Sequence, residues 1–178
     1  VPENELPMWV ADMDFETVPQ VKEALAARVA QGIYGYSILS DEWSRSYVDW
    51  WKKRHGLDLD PEKLIFVTGI VPAISSAVRK LTTPAENVLV QTPTYNIFFN
   101  SIYNNGRNIV ENKLLYDGER YRVDWGKLEE QLSDPQTTLM ILCNPHNPIG
   151  KIWDKETLTR VGELCSKYDV TVLSDEIH

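Results

Sequence analysis

The sequence predicts an α/β domain of three layers, in which a mostly parallel sheet is covered by helices on both faces. Three observations carry this expectation. From Leu64 onward, short apolar runs recur: LIFVT (64–68), NVLVQ (87–91), TLMILC (138–143) and VTVLS (170–174). Segments with helical periodicity stand between them, and strands alternating with helices imply parallel pairing through crossover connections. The runs are continuously apolar rather than alternating, as strands covered on both faces require.

Element by element, residues 1–16 read as extended. Residues 17–30 read as a helix, with Thr17 as its cap, Gln20 at the capping-box spacing, an apolar stripe of Val21, Leu25 and Val29, and Gly32 as its stop. IYGYSILS (33–40) is a loop. A second helix covers 41–55, with Trp43, Tyr47, Trp50 and Trp51 on one face and Gly56 beyond its end. After LIFVT a glycine turn leads to a helix over 71–82. NVLVQ is followed by TPTY and a helix near 96–104. RNIVENKLL (107–115) reads as a strand, and Asp117-Gly118 turns the chain toward Tyr121–Val123 and a helix at 125–132. TLMILC is a strand. Asp154 caps a helix reaching about Tyr168, and VTVLS is the last strand.

Composition narrows the function classes. The chain has 178 residues, 43% of them hydrophobic, which suits one packed domain, or a domain plus part of another. A net charge of −8, spread along the chain, argues against a nucleic-acid surface. No apolar run approaches the roughly 20 residues of a membrane helix. The opening VPENELPMWV lacks the basic-then-apolar order of a signal peptide. Two cysteines, Cys143 and Cys165, form no CxxC pair and read as buried thiols in a reducing cytoplasm. Six Trp and eight Tyr, many in the first third, read as core or subunit interface.

In open parallel sheets ligands bind beyond the carboxyl ends of the strands, so the residues there bear the chemistry. Gly69-Ile70-Val71 follows LIFVT. It is either an ordinary turn or a backbone site for an anion at a helix start. Thr92-Pro93-Thr94-Tyr95 follows NVLVQ, placing a tyrosine either over a flat ligand or on the sheet rim. Asn144-Pro145-His146-Asn147-Pro148-Ile149-Gly150 follows TLMILC as a rigid loop. His146 there is a base, a ligand or, as we favour, a loop hydrogen bonder. Asp175 follows VTVLS. A carboxylate at a strand mouth needs a cation or backbone donors.

Together these residues resemble the fold-type I pyridoxal-phosphate enzymes of the aminotransferase class I/II family. The carriers are the Asn144–Gly150 loop, Ser174-Asp175-Glu176, Pro93-Thr94-Tyr95 and the Gly69 turn, in that family's order. Leu6-Pro-Met-Trp-Val-Ala-Asp-Met-Asp-Phe15, Tyr34-Gly-Tyr-Ser37 and Ser174-Asp-Glu-Ile-His178 resemble its cystathionine β-lyase or C–S lyase branch. The resemblance implies pyridoxal 5'-phosphate as cofactor. It implies that Asp175 faces the pyridine nitrogen and keeps it protonated, that Asn144 bonds the ring's phenolic oxygen, and that Tyr95 stacks on the ring. It further implies that Gly69, Ile70 and Val71 bind the phosphate and that Val10 and Ala11 line the substrate pocket. Tyr36 would reach the phosphate of a neighbouring subunit, hence a homodimer. Ile149 stands where the family commonly has threonine.

The same resemblance sets expectations for the whole. Residues 1–40 would form a dimer and pocket-lining segment, and 41–178 part of the cofactor-binding large domain. The family's Schiff-base lysine follows the aspartate by some tens of residues, and Lys151 and Lys155 do not match it. The substrate-carboxylate arginine belongs to a later small domain. The chain therefore reads as the N-terminal portion of a longer enzyme, inactive alone, with exposed apolar edges. The implied reaction is β-elimination on cysteine S-conjugates such as cystathionine, giving thiol, pyruvate and ammonia. An aminotransferase, or an aminotransferase-like sensing domain of a transcriptional regulator, are the alternatives.

Overall fold

The computed structural model describes residues 2–7 and 11–178. The chain divides into two compact units, Val1–Leu64 and Ile65–His178.

The first unit contains α1 (Pro19–Gln31), α2 (Asp41–His55) and a single 3₁₀ turn (Pro61–Lys63). The helix starts at Pro19, with Val18 as its cap and no capping side chain, so the expected Thr17 box does not form. Proline pre-sets the helical φ and needs no N–H at the first position, which puts the boundary one residue past the reach of Thr17. Gly32 ends α1 at φ 70°, a left-handed conformation that glycine adopts without steric penalty. In α2 the aromatic residues pack along the helix at four-residue spacing. Trp43 stacks on Tyr47 with centroids 6.2 Å apart, and Tyr47 meets Trp51 at 6.1 Å. Trp50 leaves this row and carries the Arg54 guanidinium at 4.9 Å. No residue of α1 or α2 is buried, so these aromatics are not core within this chain. An apolar helix face is buried only by a second surface, and the described residues of this unit form no sheet to provide one.

The second unit runs α3 (Ile70–Leu81), β1 (Asn87–Thr92), α4 (Asn96–Tyr103), β2 (Asn108–Lys113), β3 (Leu115–Tyr116), β4 (Tyr121–Arg122), α5 (Trp125–Leu132), β5 (Thr137–Cys143), α6 (Lys155–Lys167) and β6 (Thr171–Asp175). Four strands form a parallel sheet in the order β2-β1-β5-β6. β3 and β4 pair antiparallel as a separate ribbon. Alternate residues of β1 and β5 serve opposite faces. Val88, Val90, Leu139 and Ile141 pack with Ile74 and Val78 of α3 and Phe98 and Ile102 of α4. Leu89, Met140 and Leu142 pack with Leu128 and Leu132 of α5 and Val161 and Cys165 of α6. The three-layer α/β expectation holds. Asp124 and Asp154 cap α5 and α6 by accepting from the N–H groups of Lys127 and Thr157, at 3.0 and 2.7 Å.

Two expectations fail. LIFVT is not among the described strands, and Ile65 is 84% exposed. An apolar run becomes a strand only by pairing with a neighbour, and no described strand lies against this one. The last strand does not stop at Ser174 with Asp175 following it: β6, an outer strand of the described sheet, extends to include Asp175, paired with Cys143.

Arg107 locks α3 to the sheet. Its buried guanidinium donates to Thr82 Oγ1 at 2.8 Å, to the Thr82 carbonyl at 2.6 Å and to the Asn105 carbonyl. These acceptors include an orphan carbonyl at the end of α3, where a cation also complements the helix dipole. Replacing Arg107 with leucine is expected to lower unfolding free energy by about 2 kcal/mol, because buried carbonyls lose charged donors. Urea denaturation followed by far-UV circular dichroism measures this, and an unchanged midpoint would contradict it.

Candidate active site

Because the four strands are parallel, Thr92, Cys143 and Asp175 end β1, β5 and β6 at one edge of the sheet. The orientation of α3 follows from Arg107. This residue precedes β2, at the opposite edge, and bonds the last turn of α3. The first turn of α3, after Gly69, therefore points to the edge that holds Asp175. Gly69 has an extended φ of 163°, and a Cβ there would meet Pro72 Cδ at 3.5 Å and Cγ at 4.0 Å, both ordinary contacts. Folding of this chain does not require glycine at position 69.

The loop after β5 is tied down by its own backbone. The Asn144 N–H donates to the Asp175 carbonyl at 3.0 Å, continuing the β5–β6 ladder. The His146 N–H donates to the Lys151 carbonyl at 2.8 Å, and the Gly150 N–H to the His146 carbonyl at 2.7 Å. Gly150 adopts φ 66° to close this turn. The Asn144–Pro145 and Asn147–Pro148 peptide bonds are cis, as is Thr92–Pro93. Asn144 Oδ1 accepts from the Trp153 N–H at 3.0 Å, which fixes the amide's orientation and leaves Nδ2 free to donate. The Asn147 side chain bonds to no described residue, while its N–H donates to Cys143 Sγ at 3.3 Å.

Asp175 is 8% exposed. Its Oδ1 accepts from the Ile177 N–H at 3.1 Å, and no described cation pairs with it. Burial pushes the neighbouring Cys143 thiol up, the Asp175 charge adds to that shift, and the Asn147 N–H opposes it. Burial likewise lowers the His146 pKa, against the backbone of Gln91 and Asn147. Both His146 ring nitrogens lack a formed hydrogen bond among the described residues. Tyr95 precedes α4; the residue is 36% exposed and its ring is set edge-on to Phe98 at 5.8 Å.

The structure thus brings Asp175, Asn144 and Tyr95 to one edge of the second unit, with the Gly69–Val71 turn facing the same way. Tyr36 and Ala11 lie in the first unit, both exposed. Val10 lies outside the described residues. Sequence reasoning missed Asn147 as a donor distinct from Asn144. Its signal was the second Asn-Pro pair. Among the described residues no cluster of His, Cys, Asp and Glu could hold a metal, and no helix is long and apolar enough to cross a membrane.

At this edge the parallel α/β unit presents a buried carboxylate with no described cation beside it and a constrained asparagine loop. The chain belongs to the aminotransferase class I and II family, whose model matches residues 4–178. It is 46% identical over 173 residues to cystathionine beta-lyase PatB of Bacillus subtilis strain 168, covering 97% of this chain and 45% of that protein. The crystal structure of cystalysin from Treponema denticola, which contains a pyridoxal 5'-phosphate cofactor, superposes with a TM-score of 0.91 at 36% identity, covering 97% of this chain and 44% of that one. A probable aspartate aminotransferase of Methanocaldococcus jannaschii is 27% identical over 177 residues, 96% of this chain and 45% of that protein. The chain spans about 45% of the length of the relatives it matches.

Proposed function

We propose that the whole protein is a pyridoxal-phosphate-dependent carbon–sulfur lyase that cleaves cysteine S-conjugates such as cystathionine to thiol, pyruvate and ammonia. The observation that carries the cofactor is Asp175. A buried carboxylate without a cation is costly, and a protonated pyridine nitrogen supplies the missing charge. The remaining donors fit the same group. The N–H groups at the start of α3 suit a phosphate, and Gly69, which folding does not require, leaves room for its close approach. The half-exposed Tyr95 ring offers a stacking face.

Bound pyridoxal phosphate supplies an electron sink for charge developing at the substrate Cα. Asp175 holds the proton on the ring nitrogen that this sink requires. Asn144 Nδ2 and the uncommitted Asn147 carboxamide are the two donors available to the ring's phenolic oxygen. Gly69, Ile70 and Val71 anchor the phosphate, and Tyr95 limits tilting of the ring. Val10 and Ala11 border the substrate in this reading. Tyr36, whose hydroxyl bonds to no described residue, extends to the phosphate site of a second subunit, making the protein a homodimer. Residues 1–40 then serve dimer and pocket, and 41–178 contribute to the cofactor-binding domain. The two free, buried thiols suit a reducing cytoplasm.

Lyase rather than transaminase follows from the higher identity to a cystathionine β-lyase than to a probable aspartate aminotransferase. The test is to load the full-length protein with pyridoxal phosphate and offer L-cystathionine. Pyruvate and free thiol are expected in equal amounts. Conversion of amino acids to 2-oxo acids without thiol release would overturn the lyase assignment.

The two asparagines should separate. Asn147→Ala is expected to weaken pyridoxal-phosphate binding about tenfold with little change in stability, since it removes a ligand donor and no internal bond. Asn144→Ala should also lower unfolding free energy by about 1 kcal/mol, because the Trp153 N–H loses its acceptor. Cofactor titration by absorbance, paired with urea denaturation, distinguishes them. Equal stability losses would contradict the assignment.

A further inference from the structure

The Asn144–Gly150 loop is short of backbone donors, because Pro145 and Pro148 have no N–H. The Asn144 and His146 N–H groups are spent on the carbonyls of Asp175 and Lys151, outside the loop, and the Gly150 N–H on the His146 carbonyl. The Pro145 carbonyl and the Asn147 N–H stand on either side of His146, and both turn to one sulfur atom. Cys143 Sγ donates to the Pro145 carbonyl at 3.4 Å and accepts from the Asn147 N–H at 3.3 Å. Neither backbone group has another hydrogen bond among the described residues. A thiol can serve both at once, since it carries a weak donor and a weak acceptor on the same atom.

The position of this thiol gives the two bonds a consequence. Cys143 is the last residue of β5, and its register partner is Asp175. Paired residues of a parallel sheet point to the same face, so thiol and carboxylate stand side by side. That face is the one covered by α3 and α4, where Cys143 is 4% exposed in the cluster of Val90, Phe98 and Ile141. The sulfur therefore lies between the strand ends of the candidate site and the loop that carries Asn147, whose carboxamide bonds to no described residue. The bond to Pro145 needs the S–H proton. Burial opposes ionisation of the thiol, and the neighbouring Asp175 charge opposes it further, so the donor is retained.

We propose that Cys143 is a positioning residue. Its thiol clamps the Asn144–Gly150 loop to the end of β5 from both sides of His146, and so holds Asn147 at the edge that Asp175 occupies. That Asn147 then serves pyridoxal phosphate rests on the proposed function. The clamp itself does not.

The test uses the full-length protein and two substitutions at one position. Cys143→Val fills the space and offers neither donor nor acceptor. Cys143→Ser keeps both on a shorter side chain. Hydrogen exchange is read at the Asn147 amide without cofactor. In the parent this amide is expected to exchange at least about tenfold more slowly than in an unstructured peptide of the loop sequence. In Cys143→Val it should exchange about tenfold faster than in the parent, and in Cys143→Ser within about threefold of the parent. Pyridoxal-phosphate affinity, read by absorbance, should weaken about tenfold in Cys143→Val and recover most of that loss in Cys143→Ser. Parent-like exchange in Cys143→Val would mean that the sulfur only fills space, and the proposal falls. It also falls if serine and valine exchange equally fast. Should neither variant fold, the parent alone decides, because an unprotected Asn147 amide overturns the clamp. If the parent binds pyridoxal phosphate and Cys143→Val binds it equally well, the positioning role falls even where exchange differs. Failure of the parent to bind pyridoxal phosphate would count against the proposed function alone, because the exchange measurements still decide the clamp.

Discussion

Asp175→Asn is expected to lower kcat/KM for C–S cleavage in the full-length protein by about a thousandfold, with the fold intact. The substitution is nearly isosteric. Asparagine Oδ1 still accepts from the Ile177 N–H, the one hydrogen bond the carboxylate side chain makes among the described residues. The backbone carbonyl at 175 still receives the Asn144 N–H. What disappears is a negative charge in a site 8% exposed, where no described cation compensates it. Breaking a buried ion pair by removing one partner costs about 3–5 kcal/mol, and about 1.4 kcal/mol corresponds to tenfold in rate. The loss falls on the protonated ring nitrogen, the state that stabilises charge at Cα, so it should appear in kcat more than in KM. Steady-state kinetics with cofactor occupancy checked by absorbance would decide it. A fully loaded Asp175→Asn protein within tenfold of the parent would remove Asp175 from the site.

The strands and helices of the second unit could be read from the sequence wherever the signal was local. Continuous apolar runs marked β1, β5 and β6, and Asp154 announced the start of α6 by the side chain that caps it. LIFVT had the same local signal and is not a strand, because strand identity depends on a neighbour that residue type does not specify. Thr17 and Gln20 had capping-box spacing, but Pro19 between them set the helix start. At the site the limits are similar. The strand-end rule brought Asp175, the asparagine loop and Tyr95 into consideration from the sequence alone. It did not show that Asn144 is committed to the Trp153 N–H while Asn147 is not. It also did not show that Cys143 stands beside Asp175. These facts arise from loop closure and cross-strand register, which join residues far apart in the chain.

Phe98→Ala is expected to destabilise the protein by about 3–5 kcal/mol, the range for truncating a buried aromatic side chain. Phe98 is fully buried among Ile74, Val78, Val88 and Ile102, where α3 and α4 meet the sheet. Its ring also supports the candidate site, because Tyr95 rests edge-on against it at 5.8 Å and 85°. Such a contact contributes about 0.5–1.5 kcal/mol beyond area burial. Phe98→Leu separates the two roles. Leucine refills most of the space, so stability should fall by only about 1 kcal/mol. It offers no ring edge to Tyr95, so pyridoxal-phosphate affinity should drop about threefold to tenfold, the equivalent of the lost aromatic contact. Urea denaturation and cofactor titration on both variants give the two quantities. Parent-like affinity in Phe98→Leu would mean that Tyr95 is held by its backbone position before α4, and that Phe98 serves the core alone.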